Sequence, residues 1–575
     1  MSQKKSQWIL AEDPDIPRDV GRGIPRILVK MMLQRGVNAD CMKGFLHPRL
    51  HDLKDPYLLP QMSKAVERVF DAIDKGQKIC VYGDYDVDGV TSVTIMTSIL
   101  KAYGAEVRSF IPRRGSEGYG LNKAALERCM RGGHPDLLIT VDCGTASVDE
   151  IALLYSKGVD VIVVDHHEMP PAGKPDCVAV VNPKCPSSVA EGIEQTQAGD
   201  SFDYLCAAGV VFKLAHALLK KRALSDFDLK DYLDLVALAT VSDIVPLVAE
   251  NRLLVRHGLK RMESTKNAGL KALMDIAQVK GPLASSDVGF RIGPRINAAG
   301  RMDKPEDALA ALATTDAEEA AVYADLLDAH NKERQAEELR IHQEALKSFE
   351  DNHDESDPVI VLASREWHPG VVGIVASRMM RRFHKPTFII SIDKNGVGKG
   401  SGRGIGGVSL VGAINDNREK LILGGGHEMA AGISIDEKNI DAFREGFSKY
   451  VLENTNEEDR VRRLHIDAEI SFNELSLDFL KSYELLQPFG PANQEPVFMS
   501  KKVCLTEPPR ELKNDHLKLS LKQEECWREA MFFSAAKREM PEQPWDIAFT
   551  ISRNVFRGRT SLQIVVQDVR VHVSA

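Results

Sequence analysis

The sequence predicts a multidomain α/β protein, and three observations support this prediction. Runs of valine, isoleucine and leucine that end in acidic residues alternate with helix-like stretches in the first half of the chain. Residues 315–350 are rich in alanine, glutamate and leucine and lack proline and glycine, which predicts a long helical connector. The last ~110 residues contain short β-like runs, a pattern typical of a small barrel or sandwich.

Composition narrows the class of protein. Of the 575 residues, 43% are hydrophobic and 27% charged, a balance that is ordinary for globular domains. No apolar run approaches the roughly 18–20 residues of a membrane helix, and no apolar run follows the basic residues near the start. Nine cysteines without a CxxC pair favour reduced thiols over disulfides or structural zinc. We therefore expect a cytoplasmic protein with no membrane partner.

Net charge argues weakly against a nucleic-acid partner, because such proteins often carry an excess of basic residues. The formal charge here is −9. A site built from many carboxylates lowers that sum, and two bound divalent cations would return about four positive charges. The distribution of charge, rather than its total, therefore decides the partner.

Polar breaks and changes of pattern predict five segments. A charged break at residues 351–358 separates the helical connector from a second α/β segment, and another at 454–463 precedes the β-rich end. The expected segments are an N-terminal extension at 1–50, a catalytic α/β domain at 51–314, the connector at 315–350, a second α/β domain at 351–455 and a β-rich domain at 456–575.

The first α/β domain should contain a parallel sheet. Residues 78–82, 107–111, 137–141 and 159–164 are nearly continuous apolar runs, as expected for strands that are buried on both faces. In an open parallel sheet the carboxyl ends of the strands share one edge, where ligands bind. Acidic residues that follow different strands should therefore converge at that edge.

Three aspartates at alternate positions follow the first of these strands. Asp84, Asp86 and Asp88 would repel one another unless cations lay among them, and hard divalent metals prefer oxygen ligands. The alternatives are a solvated acidic loop or a calcium loop of the D-x-D-x-D-G type. The calcium loop fails, because residues 94–97 contain no acid to complete it.

The other strand ends extend this pattern. Asp165, His166 and His167 end the strand at 159–164, and an aspartate followed by two histidines at that edge favours metal ligands over surface histidines. Imidazole shifts the preferred metal from Mg²⁺ toward Mn²⁺. Asp142 alone could be a helix cap, but its place between the other two clusters makes it a candidate bridging ligand. Asp243 is equally a helix-end residue or a ligand.

Two glycine-rich segments in the second α/β domain predict phosphate-binding loops. Residues 398–404 and 424–432 would let backbone N–H groups approach a phosphate closely, and each offers a polar side chain, Arg403 and His427. The alternative is a pair of mobile turns. Neither segment is a Walker A sequence or a G-x-G-x-x-G loop after a strand, so a nucleoside triphosphate site is not indicated.

Together these residues resemble a known family. Four segments are similar, in order, to the four motifs of the DHH phosphoesterase superfamily: residues 84–89, 142–144, 165–167 and 242–246. The glycine-rich segment 424–432 resembles the signature of the associated domain. Further segments resemble one branch, the RecJ single-strand-specific DNA exonucleases: residues 111–114 with 117–121, 295–301, 367–370 with 373–378, and 488–498. The resemblance spans nearly the whole chain.

This resemblance implies a fold and an activity. The expected fold is a parallel-sheet DHH domain, a helical connector, a DHH-associated domain and a C-terminal OB-like domain. The expected activity is 5′→3′ removal of mononucleotides from single-stranded DNA in repair and recombination. The partners that it suggests are single-stranded DNA, a single-strand-binding protein and a helicase.

Two Mn²⁺ or Mg²⁺ ions, roughly 3.5–4 Å apart, would be the cofactors. We assign Asp84 and Asp86 to one ion, Asp88, His166 and Asp243 to the other, and Asp142 to both. Asp142, His167 and Asp165 form the predicted catalytic set, in which His167 faces the scissile phosphate and Asp165 orients the imidazoles.

A further set of residues should grip the phosphates of the strand across the cleft between the two α/β domains. Its members are Arg114, Arg295, Arg301, Ser401, Arg403, Gly426 and His427. From the residues alone, Arg295 and Arg301 could equally be ordinary surface charges. This chain departs from the family at Gly404, where a serine is usual, so one phosphate contact is in doubt. In the β-rich domain, Arg553, Phe556, Arg557 and Arg559 would line a DNA-binding groove.

Two alternatives remain. A smaller DHH phosphoesterase could act on short oligonucleotides or nucleotide phosphates, although it would not need the β-rich domain. The chain could also be a metal-free binding module related to nucleases, although every expected ligand is present.

Overall fold

The computed structural model describes residues 6–17, 20–171, 173–185, 201–352, 356–556 and 558–573. The chain divides into two compact units: residues 54–461, and residues 1–53 together with 462–575. Within the described ranges, no helix combines the length and the apolar character that crossing a membrane requires.

The first sheet of the 54–461 unit is entirely parallel, as predicted. Its five strands, in order across the sheet, are Val107–Phe110, Ile79–Gly83, Leu137–Val141, Asp160–Val164 and Ala179–Val181. The register pairs Gly83 with Val141, and Val141 with Val164. Each of these residues directly precedes an aspartate. The register therefore places three acidic strand ends level with one another.

Helices cover this sheet and extend the unit. The Val87–Ala102 helix starts directly after the first acidic strand end, because Asp86 accepts the backbone N–H groups of Asp88 and Gly89. The main helices before the connector are Met62–Asp74, Val87–Ala102, Lys123–Arg131, Val148–Ser156, Ala207–Lys221, Leu233–Ser242, Ala249–Met262, Ala268–Ile276, Gly293–Arg301 and Pro305–Ala313. The predicted connector is a single 36-residue helix, Ala317–Asn352.

The second sheet is mixed and lies in the same unit. Its strands, in order, are Leu423–Gly426, Ala430–Asp436, Val397–Arg403, Thr387–Ile392 and Ile360–Ser364. The last two pair in parallel and the others antiparallel. The accompanying helices are Val372–Phe383, Leu410–Asp416 and Ile440–Asn454. This arrangement confirms the second α/β domain.

The prediction of two glycine-rich loops is wrong for most of their length. Residues 398–403 lie within a strand, and the second segment forms parts of two paired strands around a turn at residues 427–429. The glycines allow close packing instead. A Cβ at Gly402 would lie 2.5 Å from the Phe388 ring, and one at Gly400 would lie 2.6 Å from Ile433.

The C-terminal strands form a barrel, which confirms the OB-like prediction. Strand Phe498–Leu505 pairs with Trp545–Phe556, and the order continues through Arg559–Val571, Cys526–Phe532 and His516–Gln523. The last of these pairs again with the first, which closes five strands into a barrel. The shorter elements of the unit are strands Gln7–Leu10, Arg463–Ile466, Ala468–Glu469 and Arg510–Leu512, and helices Arg26–Gln34, Met42–Leu46 and Leu477–Tyr483.

The N-terminal residues belong to the same unit as the barrel. Strand Gln7–Leu10 pairs in parallel with Arg463–Ile466, and the Trp8 indole donates to Asp568 Oδ2 at 2.8 Å. Four side chains of the Arg26–Gln34 helix are fully buried in the core around the barrel: Leu28, Val29, Met31 and Met32. Nothing in the local pattern of residues 1–50 indicated these contacts, which join residues more than 400 positions apart.

We predict that Met32→Ala will destabilise the unit formed by residues 1–53 and 462–575 by about 2–5 kcal/mol. The substitution leaves a cavity in a closely packed core. Leu10→Ala serves as the control, because Leu10 is 47% exposed and its loss should cost no more than about 0.5 kcal/mol. Scanning calorimetry of both variants tests this, and equal losses of Tm would contradict the packing described here.

Candidate active site

The predicted metal ligands converge at the edge of the parallel sheet where the strands end. Their ligand atoms form three groups, in each of which all atoms lie within 4.8 Å of one another. The groups are Asp84, Asp86 and Asp142; Asp88, His166 and Asp243; and Asp142, His166 and His167. Asp142 belongs to two groups, and Asp243 reaches the site from the end of the Leu233–Ser242 helix.

The carboxylates repel one another strongly. Burial, and then the charges of the neighbouring aspartates, raise the pKa of Asp142 well above its usual range. Burial and the Asp86 charge act in the same way on Asp84, and they raise the pKa of Asp88 to about 7. Burial and the Asp88 charge raise the pKa of Asp243 to about 8. The protein alone therefore does not favour the fully ionised cluster, which needs compensating positive charge.

Backbone amides orient two of these carboxylates. Asp86 Oδ1 accepts from Asp88 N at 2.9 Å and Gly89 N at 3.1 Å. The two oxygens of Asp88 accept from Ala207 N at 2.7 Å and Ala208 N at 2.8 Å, at the start of the Ala207–Lys221 helix. The amides at a helix N-terminus stabilise a carboxylate. This contact links residues about 120 positions apart, so no local pattern in the sequence indicates it.

His166 has the environment of a metal ligand. Its Nε2 lies 3.4 Å from Asp142 Oδ1, 3.6 Å from Asp243 Oδ2 and 3.8 Å from Asp88 Oδ2. Burial, and then the charge of His167, lower the pKa of His166 to about 4. The imidazole is therefore neutral at pH 7, the state that binds a metal.

His167 is held by Asp165. Asp165 Oδ1 lies 2.8 Å from His167 Nδ1, and the carboxylate also accepts the backbone N–H groups of Thr145, His166 and His167. Burial alone would raise the pKa of Asp165, but the bonds from His167 and Thr145 outweigh it and hold that pKa below its usual range. Burial lowers the pKa of His167, yet the bond to Asp165 raises it to about 9.

Asp142 also has an unusual backbone conformation. Its φ is 60°, in the left-handed region that aspartate and asparagine tolerate better than most other non-glycine residues. Gly144 has a φ of 109°, and a Cβ there would lie 2.6 Å from Thr140 Oγ1. The turn after the Leu137–Val141 strand therefore depends on these residue types.

The residues present fit divalent metal ions. Two buried polar atoms, His166 Nε2 and Asp84 Oδ1, have no hydrogen-bond partner among the described residues. Buried polar atoms normally have partners, and such exceptions need an explanation. A donor set of carboxylate oxygens with an imidazole suits Mn²⁺ and accepts Mg²⁺. Bound cations would also offset the repulsion among the carboxylates.

Two of the predicted phosphate-binding residues meet at the start of a helix. A Cβ at Gly373, in the first turn of the Val372–Phe383 helix, would lie 3.2 Å from both Ser401 Oγ and Arg403 Nη2. Arg403 Nε donates to Ser377 Oγ at 3.1 Å, and burial lowers the pKa of Arg403. A cation, a hydroxyl and helix amides together suit a phosphate.

Arg301 and Arg114 lie beside the loop of the first acidic cluster. Arg301 Nη1 donates to Gly370 O at 3.0 Å, and burial, followed by the charges of Arg114 and Arg334, lowers the pKa of Arg301 to about 10. The Arg114 guanidinium lies 5.5 Å from the centre of the Tyr85 ring. Close approach of several arginines favours an anion among them.

Other predicted contacts have different surroundings. Arg295 donates to Asp328 Oδ1 at 2.9 Å, so its guanidinium already has a structural partner and its phosphate contact stays a prediction. Gly426 ends a strand with a φ of 142° and precedes His427. A Cβ at Gly404 would lie 3.1 Å from Glu428 O, so a serine would be tightly packed at that position.

Of the four residues predicted to line a groove in the barrel, the structure describes the side chains of Arg553 and Arg559. Arg553 forms two bonds to Glu484, at 2.7 Å and 2.5 Å, so its guanidinium has a structural partner and its DNA contact stays a prediction. Arg559 is exposed at the end of the neighbouring strand. Arg557 and the side chain of Phe556 lie outside the described residues.

Two residues near the cluster were absent from the prediction made from the sequence. Lys184 Nζ lies 2.8 Å from Glu168 Oε1, and the charge of Lys184 contributes to the lowered pKa of His166. Asn297 Oδ1 accepts the Val87 N–H at 3.1 Å and supports the start of a helix. Asn297 lies in the segment 295–301, which resembles the RecJ exonucleases. That resemblance is the feature of the sequence that could have indicated a role for Asn297.

We predict that the metal-free protein will lose stability as pH rises from 6.5 to 8.5. Asp88 and Asp243 have folded-state pKa values of about 7 and about 8, whereas an unfolded aspartate has a pKa of about 3.9. The folded state thus binds more protons, and the free energy of unfolding falls through this range. His167, with its pKa raised to about 9, acts in the same direction.

Thermal unfolding in EDTA across this pH range measures the effect. Asp243→Asn should make the decline of Tm shallower, because the amide does not titrate, and added Mn²⁺ should reverse the decline. A wild-type Tm that stayed constant or rose from pH 6.5 to 8.5 would contradict the prediction.

Comparison with known proteins agrees with this geometry. The chain matches the DHH family, N-terminal domain, at residues 78–240, the DHHA1 domain at 356–453 and the RecJ OB domain at 466–568. It is 34% identical to the single-stranded-DNA-specific exonuclease RecJ of Bacillus subtilis over 95% of this chain and 68% of that protein. It is 32% identical to RecJ of Salmonella typhimurium over 98% and 99%.

Solved structures show the same similarity. RecJ from Thermus thermophilus in complex with Mn²⁺ superposes with a TM-score of 0.83 and 30% identity, covering 99% of this chain and 80% of that one. The Mg²⁺ complex of that protein gives a TM-score of 0.76 and 28% identity, covering 99% and 79%. Identity above 30% over nearly the full length, together with all three domain matches, establishes the relationship. The chain belongs to the RecJ family of single-stranded-DNA-specific exonucleases.

Proposed function

We propose that this protein is a metal-dependent exonuclease that hydrolyses single-stranded DNA from the 5′ end and releases mononucleotides, in DNA repair and recombination. The observation that supports this most strongly is the convergence of five aspartates and two histidines at the edge of the parallel sheet. The relatives named for single-stranded-DNA-specific exonuclease activity span almost the whole chain.

The proposed cofactors are two Mn²⁺ or Mg²⁺ ions. Asp84 and Asp86 would hold one ion, Asp88, His166 and Asp243 the other, and Asp142 both. The geometry supports this assignment, since Asp142 is grouped with Asp84 and Asp86. Its Oδ1 also lies 3.4 Å from Nε2 of His166, which is grouped with Asp88 and Asp243. When bound, such ions activate a water molecule and neutralise charge on the phosphate during in-line displacement.

The protein's own residues prepare that site. Backbone amides orient Asp86 and Asp88 before any ligand arrives, so these carboxylates need little reorganisation. Asp165 fixes the ring of His167 beside the cluster. Burial of the carboxylates excludes bulk water, which strengthens their electrostatic attraction for cations.

Phosphate binding is assigned to residues of both α/β domains. Ser401, Arg403 and the start of the Val372–Phe383 helix would hold one phosphate. Arg301, with Arg114 near it, would hold another close to Asp86, which interacts electrostatically with Arg301. The side chain of His427 and the backbone at Gly426 would also contact phosphates of the strand. Arg295 has the weakest support as a phosphate contact, because it already pairs with Asp328.

On the resemblance to the RecJ exonucleases we extend the proposal to 5′→3′ digestion, release of mononucleotides, cooperation with a single-strand-binding protein and a helicase, and a cytoplasmic location. We also propose segment boundaries near residues 50, 314, 350 and 455.

Digestion of 5′- and 3′-labelled single strands, beside duplex and a dinucleotide, tests the proposed function in Mn²⁺ or Mg²⁺. We expect early release of the 5′ label as a mononucleotide, a strong preference for single strands over duplex, and faster turnover on long strands than on the dinucleotide. Preferential cleavage of the dinucleotide would favour the small-substrate phosphoesterase instead.

Asp142→Asn should lower the rate on DNA more than about 100-fold. Mutation of a residue that only orients a metal ligand can already cost about 100-fold, and Asp142 would bind the metal ions directly. Asparagine suits the left-handed backbone at this position, whereas alanine would add strain. Asp149→Asn is the matched control, because Asp149 is an exposed aspartate on the helix that follows. An Asp142→Asn variant that kept most of its rate would remove this residue from the mechanism.

A further inference from the structure

Tyr119 is an exposed aromatic residue that its loop holds in one place. Its side chain is 56% exposed. The flanking residues, Gly118 and Gly120, have φ values of 101° and 65°, a left-handed conformation that glycine adopts without strain. The pattern glycine–tyrosine–glycine therefore sets the direction of the chain on both sides of the tyrosine.

Side chains anchor both ends of this loop. Before Tyr119, Glu117 accepts from Arg128 Nε at 2.5 Å and from Arg113 N at 2.8 Å. After it, the buried Tyr82 donates its hydroxyl to Gly120 O at 2.9 Å. A loop that is anchored on both sides and displays a large aromatic side chain at an active site suggests function.

The ring of Tyr119 packs against the active site itself. It meets the ring of Tyr85 edge to face, with 6.2 Å between centroids and 79° between planes. Tyr85 lies between the two predicted metal ligands Asp84 and Asp86. The backbone N–H of Gly120, which follows Tyr119, also hydrogen-bonds to Asp84. The loop of Tyr119 and the acidic cluster are therefore one connected structure.

The hydroxyl of Tyr119 completes a chain of hydrogen bonds. Tyr119 Oη lies 2.9 Å from His167 Nε2, and His167 Nδ1 lies 2.8 Å from Asp165 Oδ1. A carboxylate only accepts, so Nδ1 carries the hydrogen of the second bond. Both ring nitrogens of His167 are thus engaged, and the group at the outer end of the chain is the phenol hydroxyl rather than the imidazole.

We propose that Tyr119 is a catalytic residue whose hydroxyl, held by His167 and Asp165, contacts the scissile phosphodiester. The proposal rests on the function proposed above and names a residue to which that function assigned no role. A hydroxyl can accept one hydrogen bond and donate another. Its single hydrogen can therefore point to a phosphate oxygen when a strand is bound, while the ring stays packed against Tyr85. His167 then acts through Tyr119 rather than by direct contact with the phosphate.

Tyr119→Phe is the direct test, because it removes only the hydroxyl and keeps the ring against Tyr85. We expect kcat on single-stranded DNA to fall about 100-fold, the typical loss of one donor to a reacting phosphate or carbonyl oxygen, with KM changed by less than about twofold. Tyr155→Phe is the matched control. Tyr155 is 71% exposed on the Val148–Ser156 helix, and its variant should keep the wild-type rate.

A double-mutant cycle tests whether the two residues act together. Residues of one catalytic unit show strongly non-additive losses. The variant Tyr119→Phe/His167→Ala should therefore be no slower than His167→Ala alone, within about threefold. A wild-type kcat for Tyr119→Phe, losses that multiply in the double variant, or a lowered Tm for Tyr119→Phe would each overturn the proposal.

The same variants are also compared on bis(p-nitrophenyl) phosphate, a small phosphodiester without a base. If the wild-type protein cleaves this ester but not DNA, the proposed exonuclease function fails, and the small ester still decides the role of Tyr119. Wild-type protein that is inactive on both substrates, with Mn²⁺ supplied, would overturn both proposals.

Discussion

The repulsion among buried carboxylates is the constraint on which the functional site of this protein depends. Asp84, Asp88 and Asp142 are almost fully buried within reach of one another, and burial together with their mutual charge raises the pKa of each. Such a cluster opposes folding unless positive charge compensates it. Its retention in a buried pocket is therefore best explained by divalent cations.

The rest of the parallel-sheet domain holds these carboxylates close together in spite of their repulsion. The strand register places the acidic ends level, the start of the Val87–Ala102 helix binds Asp86, and the start of the Ala207–Lys221 helix binds Asp88. In these contacts, backbone amides hold the carboxylates of Asp86 and Asp88 in fixed orientations. The amides do not neutralise the negative charge of the carboxylates. The site can thus remain ready for metal ions and keep its attraction for them.

A second group of contacts arranges the residues that would meet DNA. Asp165 takes four donors and orients His167, and His167 in turn bonds to Tyr119 on an anchored loop. In the DHH-associated domain, Ser401 and Arg403 converge at the start of a helix, on a strand whose glycines permit close packing. Membership of the RecJ family and this arrangement of residues support the same function, phosphodiester hydrolysis on single-stranded DNA.

Much of this could be predicted from the sequence, because the informative signals are local. A strand buried on both faces is a continuous apolar run, and the residue that ends it must lie at the edge of the sheet. For that reason Asp84, Asp142, Asp165 and His166 could be placed together without coordinates. The long connector and the C-terminal barrel were likewise visible in composition and in the spacing of β-like runs.

Only the tertiary structure decided the contacts that join distant residues. Pairing of the N-terminal strand with Arg463–Ile466, the bonds from Ala207 and Ala208 to Asp88, and the bond between Tyr119 and His167 leave no periodic trace in the chain. The glycine-rich segments are a second example of a structure that the sequence alone did not determine. Glycine permits both a phosphate loop and a closely packed strand, and only the neighbouring Phe388 and Ile433 determine which one forms.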